Sequence, residues 1–240
     1  MLPGSFRKTH IVTATPLSIE TLVATSRALL VEGGPDAVVV REVSRRLGVT
    51  APALYRYVSG RDDLLTLLIT ACTEEVTAAC LRSLGDGGTG DVGARIRRAT
   101  LAFRDWALAH PSEFGLVYGT PIMHYAAPEQ GPTVEAGQRF GNLFGTLFAE
   151  ASAAGRLCAV DDGDLPPSMG AALATTATRL GLPMRPGEMY PFVVGWHRML
   201  GIVSVEVAGH LRWAFGDQAS DFVQRQLEDL LRDLLLPVTQ

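Results

Sequence analysis

The sequence predicts an all-α chain in which a three-helix N-terminal head precedes a larger helical body. Three observations carry that prediction. Apolar residues recur every three or four positions along most of the 240 residues, no segment sustains strand alternation, and Gly and Pro clusters cut the chain into helix-length pieces. With 47% hydrophobic and 19% charged residues, there is apolar material for more than one core. No repeat at solenoid periods is present.

Taken in order, residues 1–17 are polar, contain Pro3, Gly4 and Pro16, and read as a mobile arm. Ser18 offers an N-cap hydroxyl, and Ile19, Leu22, Val23, Leu29 and Leu30 follow at helical spacing until Gly33-Gly34-Pro35 ends the helix. Val40, Val43 and Leu47 form a second helix that stops at Gly48. Thr50 is placed to cap a third helix through its hydroxyl; Pro52 is tolerated in its first turn, and Leu54 and Val58 face inward. After Ser59-Gly60, Asp62 and Asp63 suit the N-terminus of a long fourth helix running over 64–84.

The glycine-rich stretch 85–90 is a loop, and a helix containing Ile96, Phe103 and Trp106 ends before Pro111. A short helix over 113–118, an irregular loop over 119–132 and a helix over 134–155 follow. Beyond a break at 161–167, helices are expected over 168–180, 188–213 and 219–236. The expected divisions are an arm at 1–17, a head at 18–61 and a body at 62–240.

The most apolar stretch, 190–209, carries His197, Arg198 and Glu206, which argues against a membrane span, and the N-terminus has no signal-peptide core. Cys72, Cys80 and Cys158 make no close pair, as suits a reducing compartment, so a cytoplasmic location is expected. The net charge of −4 is unevenly spread. Residues 1–61 hold eight basic residues, Arg7 and Lys8 among them, against four acidic ones, a balance of +4 that leaves −8 for the remainder. A basic head on an acidic body suits a protein that meets phosphate at one end.

The stretch from Val40 to Val58 reads as helix, tight glycine turn, helix. Gly48 can take the left-handed backbone the corner needs, Val49 can plug it, and Leu47 and Leu54 can pack between the helices. The second helix exposes Thr50, Ala51, Ala53, Arg56 and Tyr57. Small residues there permit close approach to a major groove, Arg56 can offer paired donors to guanine, and hydroxyls can take phosphates.

At these residues the sequence resembles the tetracycline-repressor (TetR) family of bacterial transcriptional regulators. The order Leu47-Gly48-Val49, Pro52, Leu54-Tyr55 and Asp62-Asp63-Leu64-Leu65 is that family's N-terminal signature, and the resemblance covers about residues 18–68. It implies that Arg41 reaches a base edge and that Thr50, Ala51, Pro52, Ala53 and Arg56 face the groove. Tyr55, Tyr57 and Arg61 would hold phosphates beside the N-terminus of the fourth helix. Val39 departs from the usual Thr or Ser cap, at a cost of about 1 kcal/mol and one phosphate contact. Val58 replaces the commoner Phe in the core. A fainter resemblance, over 114–128 and 196–211, is to the C-terminal domain of one TetR subfamily and names no ligand.

For the body, an apolar cavity with a few polar groups would suit a small lipophilic effector. Candidate wall residues are Trp106, Phe114, Tyr118, Met123, His124, Asn142, Phe144 and His197. Gly137, Gly141 and Gly145 line one helix face, where they permit either close packing, the favoured reading, or pocket space. Val223, Leu227, Leu230 and Leu234 repeat at alternating four and three spacing and, with Val203 on the preceding helix, make a candidate homodimer seam. No histidine sits in a zinc-protease or di-iron pattern, and Asp161-Asp162-Gly163-Asp164 lacks the spacing of a calcium loop. Neither a metal nor a cofactor is expected, and the chain reads as a non-enzyme. The expected function is a homodimeric DNA-binding repressor released from a palindromic operator in double-stranded DNA by a small lipophilic effector. The rival is a helical carrier or interaction module without DNA binding.

Overall fold

The structure, a computed structural model, describes residues 17–85 and 90–237, so the expected arm with Arg7 and Lys8 lies outside the described residues. Ser18 starts helix α1 (Ile19–Gly33): its hydroxyl accepts from the Thr21 N–H at 3.3 Å while Thr21 Oγ1 accepts from the Ser18 N–H at 2.9 Å. A single 3₁₀ turn at Pro35–Ala37 leads to α2 (Val40–Leu47), whose N-cap Val39 makes no side-chain bond, as its sequence dictates. Gly48 follows at φ 67° and ψ 27°, the left-handed conformation that costs glycine no Cβ clash.

Helix α3 is one turn, Ala51–Leu54, prolonged by bonds from Tyr55 N–H to the Ala51 carbonyl and from Val58 N–H to the Leu54 carbonyl. Thr50 makes no side-chain cap. The expected hydroxyl cap is therefore absent, and Pro52 explains why it is dispensable, since one of the first-turn N–H groups is already missing.

Helix α4 (Arg61–Leu84) begins three residues earlier than its apolar pattern suggested. Asp63 accepts from both the N–H and the hydroxyl of Ser59 at 2.7 and 2.6 Å, and these bonds hold its carboxyl below the usual range. The chain divides into two units after Leu68, not after residue 61. Leu64, Leu65 and Leu68, all buried, belong to the head unit: with Leu22, Leu29, Val43, Leu54 and Val58 they supply a core that three short helices alone would leave thin. Among the described residues α4 is the one helix long and apolar enough to cross a membrane; Leu64, Leu65, Leu68, Cys72, Val76 and Cys80 are buried in protein along one side of it, while Leu81 is exposed.

The second unit comprises the rest of α4, α5 (Val92–Ala109), α6 (Pro111–Tyr118), α7 (Pro132–Ala153), α8 (Pro167–Leu180), α9 (Pro186–Val207), α10 (Arg212–Phe215) and α11 (Ala219–Leu234). The acidic run at 161–164 is a 3₁₀ turn in which Asp161 accepts from the Gly163 N–H and Asp162 from the Gly187 N–H. No strand occurs among the described residues; a lone antiparallel bridge joins Leu157 to Leu235.

Two expectations are corrected here. The helix expected over 188–213 breaks after Val207, where Gly209 turns at φ 70°, and α10 forms separately. The seam residues Val203, Val223, Leu227, Leu230 and Leu234 are buried in the chain's own core, where α9 packs on α11. Gly195 explains the intimacy of that packing: a Cβ there would lie 2.8 Å from Leu234.

Glu206, near the end of α9, meets Arg104 of α5, their side chains 7% and 8% exposed. Arg104 Nε donates to Glu206 at 2.7 Å and Nη2 donates to Ser220 of α11 at 2.7 Å, so one guanidinium ties three helices. Breaking a buried pair strands a desolvated charge. Glu206→Ala is expected to destabilise the protein by about 3–5 kcal/mol in urea denaturation, with Arg104→Met/Glu206→Leu regaining most of the loss. A loss below about 1 kcal/mol would show the pair to be solvated.

Candidate functional site

In the head, α2 and α3 meet at the Gly48 corner with Leu54 fully buried, Leu47 and Val49 half-buried, and a polar outer face. The arginines of that head divide sharply by partner. Arg45 pairs with Glu42, Arg46 with Glu32, and Arg61 donates to the Pro35 carbonyl at 3.2 Å and to Asp36 at 3.0 Å. Arg41 and Arg56 are exposed and have no ion-pair or hydrogen-bond partner among the described residues. Thr50, Pro52 and Tyr55 are exposed beside them, Tyr55 by 56%, and Ala51 and Ala53 are half-buried. These residues therefore present two uncommitted guanidinium groups around a short, small-residue helix, the equipment for reading base edges.

Two of the expected phosphate holders are used within the head. The Tyr57 hydroxyl donates to the Leu17 carbonyl at 3.1 Å, fixing the chain just before the α1 cap, and Arg61 anchors the turn after α1 through Asp36. Sequence spacing placed both on the outer face but could not show that carbonyl and carboxylate groups some 25 to 40 residues away would claim them.

Within the second unit lies a cavity of about 550 Å³ walled by residues of α4 to α9 and α11. Its wall is mostly apolar and includes Ile69, Ile96, Phe140, Phe144, Phe148, Phe192, Trp196 and Met199. Thr73, Thr100, Thr133, Thr176, Tyr118, Arg179 and His197 are the polar groups. Tyr118 and Thr133 have buried hydroxyls without a protein partner, and burial pushes the Tyr118 phenol up so that it stays a donor. His197 donates through Nδ1 to the Val193 carbonyl at 2.8 Å.

Residues 22–68 match the family described as "Bacterial regulatory proteins, tetR family" and residues 96–230 match "Tetracyclin repressor-like, C-terminal domain". The chain belongs to the TetR family. An HTH-type transcriptional regulator of Mycobacterium tuberculosis is 30% identical over 192 residues, 78% of this chain and 80% of its own length. A protein of unknown function from Rhodococcus sp. RHA1 shares the fold at a TM-score of 0.67 and 23% identity, covering 95% of this chain and 100% of its own. TetR from Acinetobacter baumannii AYE, solved in complex with minocycline, shares the fold at a TM-score of 0.52 and 20% identity, covering 91% and 96%. The protein is thus a DNA-binding transcriptional regulator, and the Arg41 and Arg56 face is its candidate nucleic-acid surface.

Of the eight cavity residues expected in this TetR-family body, Tyr118, Phe144 and His197 line the wall. Trp106 and Phe114 are buried in the core instead, outside the wall. Met123 is 73% exposed, and His124 turns the 119–131 loop at φ 59° with its side chain in solvent. Asn142 is exposed because it lies about 100° further round α7 than Gly141. Aromaticity flagged the right region, but no sequence signal tells a core ring from a wall ring. Two seam residues, Leu230 and Leu234, prove to be wall residues as well.

The glycines of α7 divide between the two roles. A Cβ on Gly137 would meet nothing within 4 Å, one on Gly141 would touch Leu180 at 3.4 Å, and one on Gly145 would lie 2.5 Å from Leu182. Gly137 opens the cavity, Gly145 permits close packing, and Gly141 does both. Gly137→Ala is therefore expected to stabilise the protein by about 0.5–1 kcal/mol through helix propensity. Gly145→Ala forfeits that gain by displacing Leu182. Equal shifts in denaturation midpoint for the two variants would contradict this division.

Proposed function

We propose that this TetR-family protein is a homodimeric repressor that holds a palindromic operator and releases it when a small lipophilic effector fills the body cavity. The observation that carries the reading is the partnering of the head: Arg45, Arg46 and Arg61 hold carboxylates, while Arg41 and Arg56, at the two motif helices, stay uncommitted. An arginine already bound to a carboxylate has part of its charge neutralised and fewer donors left for a base or phosphate, whereas a free one can give a full bidentate contact.

Two heads read two half-sites when their spacing matches one helical turn of DNA, about 34–36 Å, or a multiple of it. Spacing is then what the effector controls. It acts only if it binds the released conformation better than the operator-bound one, and operator must weaken effector binding by the same factor. The seam residues being internal, the surface left for a second copy is the outward apolar set that includes Met169, Tyr190, Val205 and the 89% exposed Trp213. The complex of the Acinetobacter baumannii TetR with minocycline supports a small molecule as the effector of a body with this fold.

The test is selection of duplexes from a random pool by the purified protein at about physiological salt, which should recover one palindromic consensus. On that duplex, Arg56→Ala is expected to cost about 1–3 kcal/mol and to relax preference at one position per half-site. Arg61→Ala should chiefly lower the thermal stability of the head, with little loss of sequence preference. Recovery of no consensus, or identical behaviour of the two variants, would overturn the contact assignment.

A further inference from the structure

Resting on the reading of the body as an effector receptor, we infer that the effector is an elongated lipophilic carboxylic acid whose charged end meets Arg179 and whose apolar length lies along α7. The cavity wall contains no aspartate or glutamate but does contain Arg179 and His197. Arg179, the one arginine of the wall and exposed near the end of α8, has no ion-pair or hydrogen-bond partner among the described residues; Arg82 and Arg212 also lack one but lie off the wall, whereas Arg95, Arg97, Arg104, Arg139 and Arg156 of the same unit each face a carboxylate. A guanidinium keeps its charge throughout the physiological range, so a wall with this single sign of charge draws an anion and repels a lipophilic cation. His197 commits Nδ1 to the Val193 carbonyl, which leaves Nε2 as the ring nitrogen open to a ligand.

The geometry sets the shape of the ligand. Leu180, adjacent to Arg179, reaches within 3.4 Å of where a Cβ on Gly141 would stand, so that end of α8 lies beside Gly141. Thr133 and Gly137 precede Gly141 at intervals of four on the same face, which puts Thr133 about 12 Å away along the axis of α7. Between these levels Phe140 packs against the Tyr118 ring at 6.4 Å between centroids. The unpartnered hydroxyls of Thr133 and Tyr118 line the same space, so a ligand that satisfies them carries at least one further oxygen along its body. Arg179 also stands in the last turn of α8, where a cation complements the helix dipole; that role alone would make it a stability residue without ligand preference.

The experiment titrates the full-length protein with pyrenebutyric acid and with its methyl ester, reading pyrene fluorescence for wild type, Arg179→Gln and Gly137→Phe. The acid is expected to bind wild type about fivefold or more tightly than the ester, with the gap shrinking as salt is added. Arg179→Gln should weaken the acid by that factor and leave the ester unchanged, and Gly137→Phe should weaken both by filling the cavity. Equal binding of acid and ester, unaltered by Arg179→Gln, would overturn the carboxylate inference while leaving the cavity as a lipophile site. If neither probe binds, or Gly137→Phe binds both as wild type does, the effector reading of the cavity falls, and the carboxylate inference falls with it.

Discussion

The body depends on one ring. Phe103 of α5 is fully buried and meets Phe114 and Tyr118 of α6, Phe140 of α7 and Trp196 of α9, with centroids 5.5 to 6.0 Å apart. Edge and tilted contacts of this kind add to what area burial supplies, and they fix orientation because each ring constrains the next. Three of its four neighbours, Tyr118, Phe140 and Trp196, are cavity wall. The packing that gives the unit its core thus also sets the shape of the space inside it, and a change at Phe103 would be felt on the side of the site lined by Tyr118, Phe140 and Trp196.

Charge is distributed with the same economy. Most arginines of both units are set against carboxylates, and in the body Arg104 is buried in that state with Glu206. An interior guanidinium needs its partner, so it is a fixed element of the fold, while an exposed one without a partner is available. Arg41 and Arg56 on the motif helices, and Arg179 at the cavity, are distinguished from their paired neighbours only once those partners are known. Cys80 carries no such chemistry: burial pushes its thiol up to about 12, which leaves it without nucleophilic thiolate.

The head was legible because its signals are local. The cap at Ser18, the left-handed turn at Gly48 and the inward pair Leu54 and Val58 are decided within a few residues, and the structure places them where their spacing predicts. Its lower limit was not, because Leu64, Leu65 and Leu68 read as the start of a long helix although they complete the head's core. In the body, helical periodicity revealed the inward face of α11 but not whose core it enters, so Val223 and Leu227 looked like a seam between chains. Met123 and His124 failed as wall residues for a related reason: an irregular loop has no period from which direction can be read. Thr73 and Thr100 were missed because a polar residue on a helix signals solvent, and only the assembled wall shows that they border an internal space; Arg179 was missed because an exposed arginine reads as surface.

Gly137 has a consequence for how this protein can change over generations. It gives up helix propensity in the second turn of a 22-residue helix and gains only empty volume beside it. Any glycine codon reaches alanine or valine by one base, and each step would add carbon to the cavity without touching the aromatic packing. Selection for a smaller cavity could therefore act at this position alone, with the first step repaid in stability. The volume of the cavity is thus adjustable at position 137 apart from the head that reads DNA.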